Sequence, residues 1–358
     1  MSLTPLLRPA RPRPTGLHLA GLVLVAGALA ACGSDDASGT DATAAGTAAG
    51  ATTEPDAFPV TLEHKYGETT FTAAPERVVV VGLQEQDTLI DLGIVPVGVT
   101  YWFGEEDAIN PWAEAALPEG AEPPTVLQAT DGIPVEQVAA LRPDLIIGEY
   151  SSMTEQEYEQ LSQLAPVLAQ SGEYADYAMP WQEMALKIGQ AVGQEEAITA
   201  RIEEVEEQFA EAAADHPEFA DATVALVTPY EGLFVYGPDD PRARLLEDLG
   251  FDTRTSTLFD DQASFGGSLS PERAADLENL DLTVWYDRTA EAGVADVYEG
   301  TDQFAEGRFV NISDDDGAYY VAHSFTNTLA LPYVLERYVP QLAAAIDGDP
   351  TTVVEVEE

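Results

Sequence analysis

Aromatic and arginine side chains follow the ends of several strands that the sequence predicts, and others stand in nearby loops. Rings with polar tips suit an organic ligand, because they combine apolar contact with hydroxyl or indole donors. Guanidinium groups pair with carboxylate oxygens. The candidate ligand contacts are Trp102, Phe103, Tyr150, Tyr230, Arg242, Arg244, Phe265, Trp285, Arg288 and Tyr319. Core packing is the alternative for each ring, and surface solubility is the alternative for each arginine.

Other residues with chemical potential are scattered. Gln84, Glu85 and Gln86 follow the first predicted strand, where they can bind a ligand or cap the next helix. Histidine is too sparse after the leader for a zinc or manganese site, so no bound metal and no cofactor is expected. The run Asp314-Asp315-Asp316-Gly317 lacks the spacing of a calcium loop. Enzyme motifs such as G-x-S-x-G, the P-loop and H-E-x-x-H are absent from the sequence, which favours binding over catalysis.

The amino terminus has the pattern of an export signal. Residues 1–31 carry three arginines and no acid, and they become apolar from Leu17 to Ala31. The apolar core is shorter than the roughly 20 residues of a membrane span. The sequence Leu29-Ala30-Ala31-Cys32 resembles a bacterial lipobox, and Cys32 is the only cysteine. We therefore expect cleavage before Cys32 and a lipid anchor on the outer face of the bacterial cell membrane.

Composition limits the possible partners. Residues 32–57 are mostly Gly, Ala, Ser, Thr and Asp, which predicts a disordered tether. The chain has 15 basic and 64 acidic residues, a net charge of −49. Loss of the three leader arginines makes the charge −52, which excludes nucleic acid as a partner.

The remaining chain is too long for one core, and its pattern predicts two α/β lobes. Short apolar strands alternate with helical stretches, as in Arg77–Gly82 and Asp144–Gly148, which is typical of parallel sheets. Apolar residues at helical spacing between Trp181 and Phe209 predict one long helix, with a possible kink at Gly193. We expect an N-terminal lobe over 58–178, a bridging helix over 179–215 and a C-terminal lobe over 216–358, the last helix running from about Ala322 to Ile346.

On these motifs the chain resembles the ferric-siderophore and cobalamin binding lipoproteins of ABC importers. The likeness rests on Arg77–Val80 leading to Gly93–Val99, on Val135–Ile147, and on Leu269–Arg273. The resemblance implies two Rossmann-like lobes bridged by one rigid helix. It also implies that an iron(III)-siderophore binds between the lobes, and that a monomeric protein delivers it to an ABC permease and its ATPase.

The resemblance assigns a docking role to two carboxylates. Glu136 and Glu272 match the positions, one per lobe, that meet permease arginines in the family. The alternative is that each merely complements a helix dipole. Two other hypotheses for the whole protein stay open: a haem or cobalamin binding protein of the same fold, in which Tyr230 or His323 is a possible axial ligand, and a membrane-tethered enzyme.

Overall fold

The computed structural model describes residue 54 and residues 57–352, except 102–103, 130–131, 221, 254–257, 259–264, 289 and 315–316. The predicted signal peptide, Cys32 and nearly all of the tether lie outside the described residues, as do Trp102 and Phe103. No described helix is both long enough and apolar enough to cross a membrane.

The first lobe begins with a hairpin and continues as a parallel sheet. β1 (Val60–His64) pairs with β2 (Gly67–Phe71) in antiparallel fashion. The sheet has the order β5-β4-β3-β6-β7, with all of these strands parallel. Its strands are β3 (Val78–Val80), β4 (Gly98–Tyr101), β5 (Thr125–Gln128), β6 (Leu145–Gly148) and β7 (Val167–Ala169). The helices between them are α1 (Glu85–Asp91), α2 (Pro111–Glu114), α3 (Val135–Leu141) and α4 (Glu155–Leu161).

Two helices occupy the segment predicted as a single bridging helix. α5 (Trp181–Val192) ends at Gly193, whose φ of 73° is a left-handed conformation that favours glycine, and α6 (Glu195–Asp215) starts two residues later. The two helices pack closely, because a Cβ added to Gly189 would come within 2.2 Å of Ile198. The prediction of one continuous helix is therefore corrected. A salt bridge of 3.0 Å from Arg201 to Asp91 ties α6 to α1 of the first lobe.

The second lobe repeats the strand order of the first. Its sheet runs β10-β9-β8-β11-β12, with β9 antiparallel to both neighbours and the other pairs parallel. The strands are β8 (Val224–Pro229), β9 (Leu233–Tyr236), β10 (Gly266–Leu269), β11 (Leu282–Tyr286) and β12 (Phe309–Ile312). The α-helices are α7 (Pro241–Asp248), α8 (Ala292–Tyr298), α9 (Asp302–Ala305), α10 (Ala318–Ser324) and α11 (Ala330–Ile346), and the segments Pro217–Phe219 and Pro271–Asn279 are 3₁₀-helices. The predicted last helix is thus two helices, α10 and α11.

An aspartate clamp recurs at the same place in both lobes. Asp144, just before β6, accepts hydrogen bonds from the backbone N–H of Glu76 at 2.9 Å and of Arg77 at 2.8 Å, just before β3. Asp281, just before β11, accepts from the backbone N–H of Thr223 at 2.8 Å, just before β8. The clamps join the two central strands of each sheet at their amino ends. The carboxyl ends of those strands lie where the strand order reverses, which is the usual ligand position in such sheets.

Apolar packing is continuous between the lobes. One buried cluster includes Val80 of β3, Ile188 of α5, Phe209 of α6, Leu226 of β8 and Leu335 of α11. Smaller clusters cover the opposite face of each sheet. The inner faces of both sheets and the bridging helices therefore share one core.

Candidate functional site

Several loops at the predicted cleft have a left-handed backbone. The residues are Ser152 (φ 50°) after β6, Tyr177 (φ 67°) before α5, Glu231 (φ 48°) after β8 and Asp287 (φ 40°) after β11. Residues other than glycine rarely adopt this conformation, and such strain concentrates at ligand sites. The strained positions therefore indicate the same strand ends that the sequence indicates.

Two groups of three aromatic rings lie within electrostatic reach of Arg242, and together we call them the inter-lobe cluster: Tyr150, Tyr177 and Phe325 in one group, and Tyr236, Tyr286 and Tyr320 in the other. In the first lobe the ring of Tyr150 lies 4.9 Å from that of Tyr177. It also lies 6.3 Å from the ring of Phe325, which follows α10 of the second lobe. Tyr286 lies 6.0 Å from Tyr236 and 5.0 Å from Tyr320. Tyr320 is 37% exposed, so the cluster reaches solvent.

Arg242 contacts the second-lobe rings of the inter-lobe cluster. Its guanidinium lies 4.1 Å from the ring centroid of Tyr236 and 5.7 Å from that of Tyr286. Burial raises the pKa of Tyr150 in the first lobe, and the nearby charge of Arg242 opposes that rise. Asp240, fully buried, holds the guanidinium with bonds of 2.8 Å to Nε and 2.6 Å to Nη2. The cluster is therefore an aromatic surface with one fixed ion pair.

Arg244, the second arginine of α7, also reaches the first lobe. Its Nη1 donates to the carbonyl oxygen of Ala178 at 2.8 Å, directly after the strained Tyr177. The structure thus brings together Tyr150, Arg242 and Arg244 from the sequence prediction.

Three predicted contacts lie elsewhere, and their assignment is corrected. Trp285 is fully buried against Tyr298 on the outer face of the second sheet, because alternate strand residues point to opposite faces and Tyr286 takes the inner one. Tyr319 is also fully buried, and its hydroxyl donates to Gln341 at 2.9 Å. Arg288 pairs with Glu299 at 2.7 Å and stacks 4.9 Å from Phe304, again on the outer face.

Two predicted contacts stand apart from the cluster. Tyr230 is 64% exposed on the turn after β8. Phe265 precedes edge strand β10 and is partly buried, and its carbonyl accepts from Gly237 at 2.9 Å. Both remain predictions as ligand contacts, as do Trp102 and Phe103 outside the described residues.

Among the polar residues after β3, Glu85 fixes the backbone of the site through hydrogen bonds. Glu85 is fully buried, and its carboxylate accepts from the backbone N–H of Tyr150 at 2.9 Å and of Gln84 at 3.0 Å. A Cβ at Gly82 would lie 1.9 Å from this carboxylate, so glycine is required there. Burial raises the pKa of Glu85. Glu85 therefore fixes the position of the Tyr150 loop. Gln84, Glu85 and Gln86 are all buried, so they are assigned to the structure of the protein and not to ligand contact.

The histidine considered for haem is enclosed. His323 is fully buried, its Nδ1 bonds the hydroxyl of Tyr286, and burial lowers its pKa to about 3. It is neutral at physiological pH and out of reach of a ligand in this conformation. Within the described residues, no group of three or more His, Cys, Asp or Glu side chains is arranged to hold a metal ion.

The two predicted docking carboxylates occupy equivalent exposed positions. Glu136 lies in the first turn of α3, after β5. Glu272 lies in the first turn of the 3₁₀-helix Pro271–Asn279, after β10. β5 and β10 hold the same place in the two strand orders, so the residues are related by the internal repeat.

Some residues of the site escaped sequence reasoning. Tyr177, Tyr236, Phe325 and Asp240 were not predicted to contact a ligand. Asp240-Pro241 did carry a signal, because Asp before Pro is typical of a helix amino terminus. The rings of Tyr177, Tyr236 and Phe325 had no such sequence signal, since they come from segments distant in sequence.

Known proteins similar in sequence to this chain fall in one family. The family model described as Periplasmic binding protein matches residues 78–309. The chain is 29% identical over 208 residues to the putative ABC transporter substrate-binding lipoprotein YhfQ of Bacillus subtilis (strain 168), covering 58% of this chain and 62% of that protein. It is 34% identical over 164 residues to the Fe(3+) dicitrate-binding periplasmic protein FecB of Escherichia coli (strain K12), covering 45% and 52%. The chain thus spans less than two thirds of the length of these two relatives.

Solved structures extend the likeness over the whole body. A periplasmic solute binding protein from Mycobacterium smegmatis str. MC2 155 superposes with a TM-score of 0.68 at 32% identity, covering 81% of this chain and 100% of that one. PiaA from Streptococcus pneumoniae TIGR4, in complex with ferrichrome, gives 0.69 at 26% identity, covering 81% and 99%. The resemblance seen in the sequence is confirmed, and the chain belongs to the family described as Periplasmic binding protein.

Proposed function

We propose that this protein captures an iron(III)-siderophore between its lobes and delivers it to an ABC permease. The inter-lobe cluster with Arg242 is the observation that carries the proposal, because it gathers aromatic rings from both lobes around one arginine, and Tyr320 in it is exposed to solvent. The name of one relative and the ligand of one solved neighbour, Fe(3+) dicitrate and ferrichrome, support an iron chelate as cargo. Function is recognition, without covalent change to the ligand.

Intrinsic fluorescence provides the direct test. The purified protein is titrated with ferric hydroxamates, ferric catecholates, ferric citrate, haem and cobalamin. We expect submicromolar quenching by at least one iron chelate. Quenching by haem or cobalamin alone would replace the proposed ligand class, and turnover of a substrate without chelate binding would favour a tethered enzyme.

We further propose that Glu136 and Glu272 dock the loaded protein on its permease. Two exposed anions at equivalent positions of a repeated fold suit paired cationic pockets on a two-fold partner. The double variant Glu136→Ala with Glu272→Ala should lose uptake while ligand affinity stays within about twofold. Glu278→Ala, an exposed acid further along the same 3₁₀-helix as Glu272, is the control and should transport normally. Normal uptake by the double variant would remove the docking role.

The anchor is also a proposal. Cys32 after Leu29-Ala30-Ala31 supports lipidation and attachment to the outer face of the cell membrane. Cys32→Ser should leave the protein unlabelled by radioactive palmitate and release it from the membrane fraction. Membrane retention of that variant would indicate another form of attachment.

A further inference from the structure

The charge of Arg242 is cancelled inside the protein. Asp240 accepts from Nε and Nη2 of Arg242, so two of the three guanidinium nitrogens already face a carboxylate. Asp240 is fully buried, and 19% of the Arg242 side chain is exposed. A largely buried guanidinium is stabilised by such a counter-ion, and the pair presents no net charge to a ligand.

The capping role of Asp240 does not explain why an acid stands there. Its Oδ1 also accepts from the backbone N–H of Arg242 at 2.9 Å, which caps α7. Ser, Thr or Asn would cap the helix equally well. Only a carboxylate can also accept the guanidinium fork and neutralise it.

One further cation, Arg244, lies at the lobe boundary, and the other described groups beside the cluster are neutral or acidic. His323 is neutral, as its pKa of about 3 indicates. Burial raises the pKa of Tyr320, and the nearby Asp287 adds to that rise, so a further acid lies close to the exposed ring. Arg244 is the second described guanidinium at the lobe boundary, and it donates to the carbonyl oxygen of Ala178.

From this geometry we infer that Asp240 is a specificity-determining residue, and that the cleft selects iron chelates of little or no net charge over anionic ones. The inference rests on the proposed function. An anionic chelate would draw Arg242 away from Asp240 and leave a buried carboxylate without its partner, which is strongly unfavourable. A neutral chelate, such as iron(III) with three hydroxamates, can lie on the rings without disturbing the pair.

The test compares two probes on two proteins. Ferrichrome serves as the neutral trihydroxamate, and ferric citrate serves as the anionic chelate. The native protein should bind ferrichrome at least about tenfold more tightly. Asp240→Asn keeps a capping oxygen but unmasks the cation, so its affinity for ferric citrate should rise about tenfold while that for ferrichrome changes less than about threefold.

A matched control and a variant-free measurement accompany the test. Asp276→Asn removes one acid from an exposed 2.7 Å pair with Arg273, and it should leave both affinities unchanged. The preference of the native protein for ferrichrome over ferric citrate needs no variant. It therefore tests the inference even if Asp240→Asn fails to fold.

Each outcome has a distinct meaning. Preference of the native protein for ferric citrate, or unchanged selectivity in a folded Asp240→Asn variant, would overturn the inference and leave the siderophore function intact. Failure of the native protein to bind any iron chelate would instead overturn the proposed function.

Discussion

Asp87 is a single residue that joins both lobes. Its Oδ2 accepts from Nε1 of Trp112 at 2.6 Å and from Nδ2 of Asn327 at 3.0 Å. Asn327 in turn caps α11, because its Oδ1 accepts from the backbone N–H of Ala330 at 2.9 Å. Asp87 is 2% exposed, and its Oδ1 has no hydrogen-bond partner among the residues that the structure describes. A buried carboxylate with one satisfied oxygen is costly when it is charged.

The protonation of Asp87 predicts a pH dependence of stability. Burial raises its pKa to about 6, against the lowering effect of Trp112 and Asn327. An unfolded Asp titrates near about 3.9, so between these values the folded protein holds a proton that the unfolded chain has lost. The contribution of Asp87 to the free energy of unfolding therefore falls as pH rises from about 4 to about 6.

The substitution Asp87→Asn tests whether the protonation of this one residue gives the stability its pH dependence. The amide oxygen can accept from both Trp112 and Asn327, and the substitution removes the buried charge. Relative to the native protein, the free energy of unfolding of the variant should gain about 2 to 3 kcal/mol between pH 4 and pH 7. Urea unfolding at several pH values measures the difference, with exposed Asp276→Asn as control. A difference that does not change with pH would contradict the assignment.

At the scale of elements, the internal repeat includes the aspartate clamps as well as the strand order. Asp144 and Asp281 occupy matching positions before β6 and β11, and each also donates its own backbone N–H to the residue it clamps. Both clamps lie at the amino ends of the central strands. They hold those strands in register while the carboxyl ends remain available for the site.

We expect the two clamps to contribute equally to stability. Asp144→Ala and Asp281→Ala each remove a charged acceptor of two hydrogen bonds, and each should lower the free energy of unfolding by about 1 to 2 kcal/mol. Asp276→Ala loses only an exposed ion pair and should cost under about 0.5 kcal/mol. Denaturant unfolding provides the comparison. A large effect in one lobe alone would show that the clamps are not equivalent.

At the scale of the whole molecule, repulsion among the many negative charges opposes the packing of the shared core. The chain carries 64 acidic and 15 basic residues, and the exposed face of α6 concentrates acids such as Glu196, Glu203 and Glu207. Like charges on a compact body repel, and dissolved salt screens them. The continuous packing between lobes must therefore hold against this repulsion.

Salt should consequently stabilise the protein. Raising NaCl from about 0.05 M to about 1 M shortens the screening length to about 3 Å and should raise the Tm at pH 7 by several degrees. Near pH 4, where many carboxylates are protonated, the same change should have much less effect. Thermal unfolding at both pH values measures this. An equal effect at both would point to salt acting on apolar burial instead.

Local sequence patterns determined much of the fold. β-branched and apolar runs predicted strands within Arg77–Gly82 and Asp144–Gly148, where β3 and β6 lie, because strand periodicity depends on neighbouring residues. The repeated motif around Glu136 and Glu272 also identified the family and the paired lobes. The break at Gly193 was visible only as a possible kink, since either a bend or a helix end suits glycine.

The composition of the site was decided by tertiary structure. Trp285 and Tyr286 are adjacent aromatic residues, and the face that each presents depends on which side of the sheet the bridging helices cover. Tyr177, Tyr236 and Phe325 come together only because the second lobe packs on the first. The pairing of Arg242 with Asp240 had no signal in its spacing, and its burial among rings from several loops depends on how those loops pack. Periodicity carries information about neighbours along the chain, whereas a cleft is made of residues that are far apart in it.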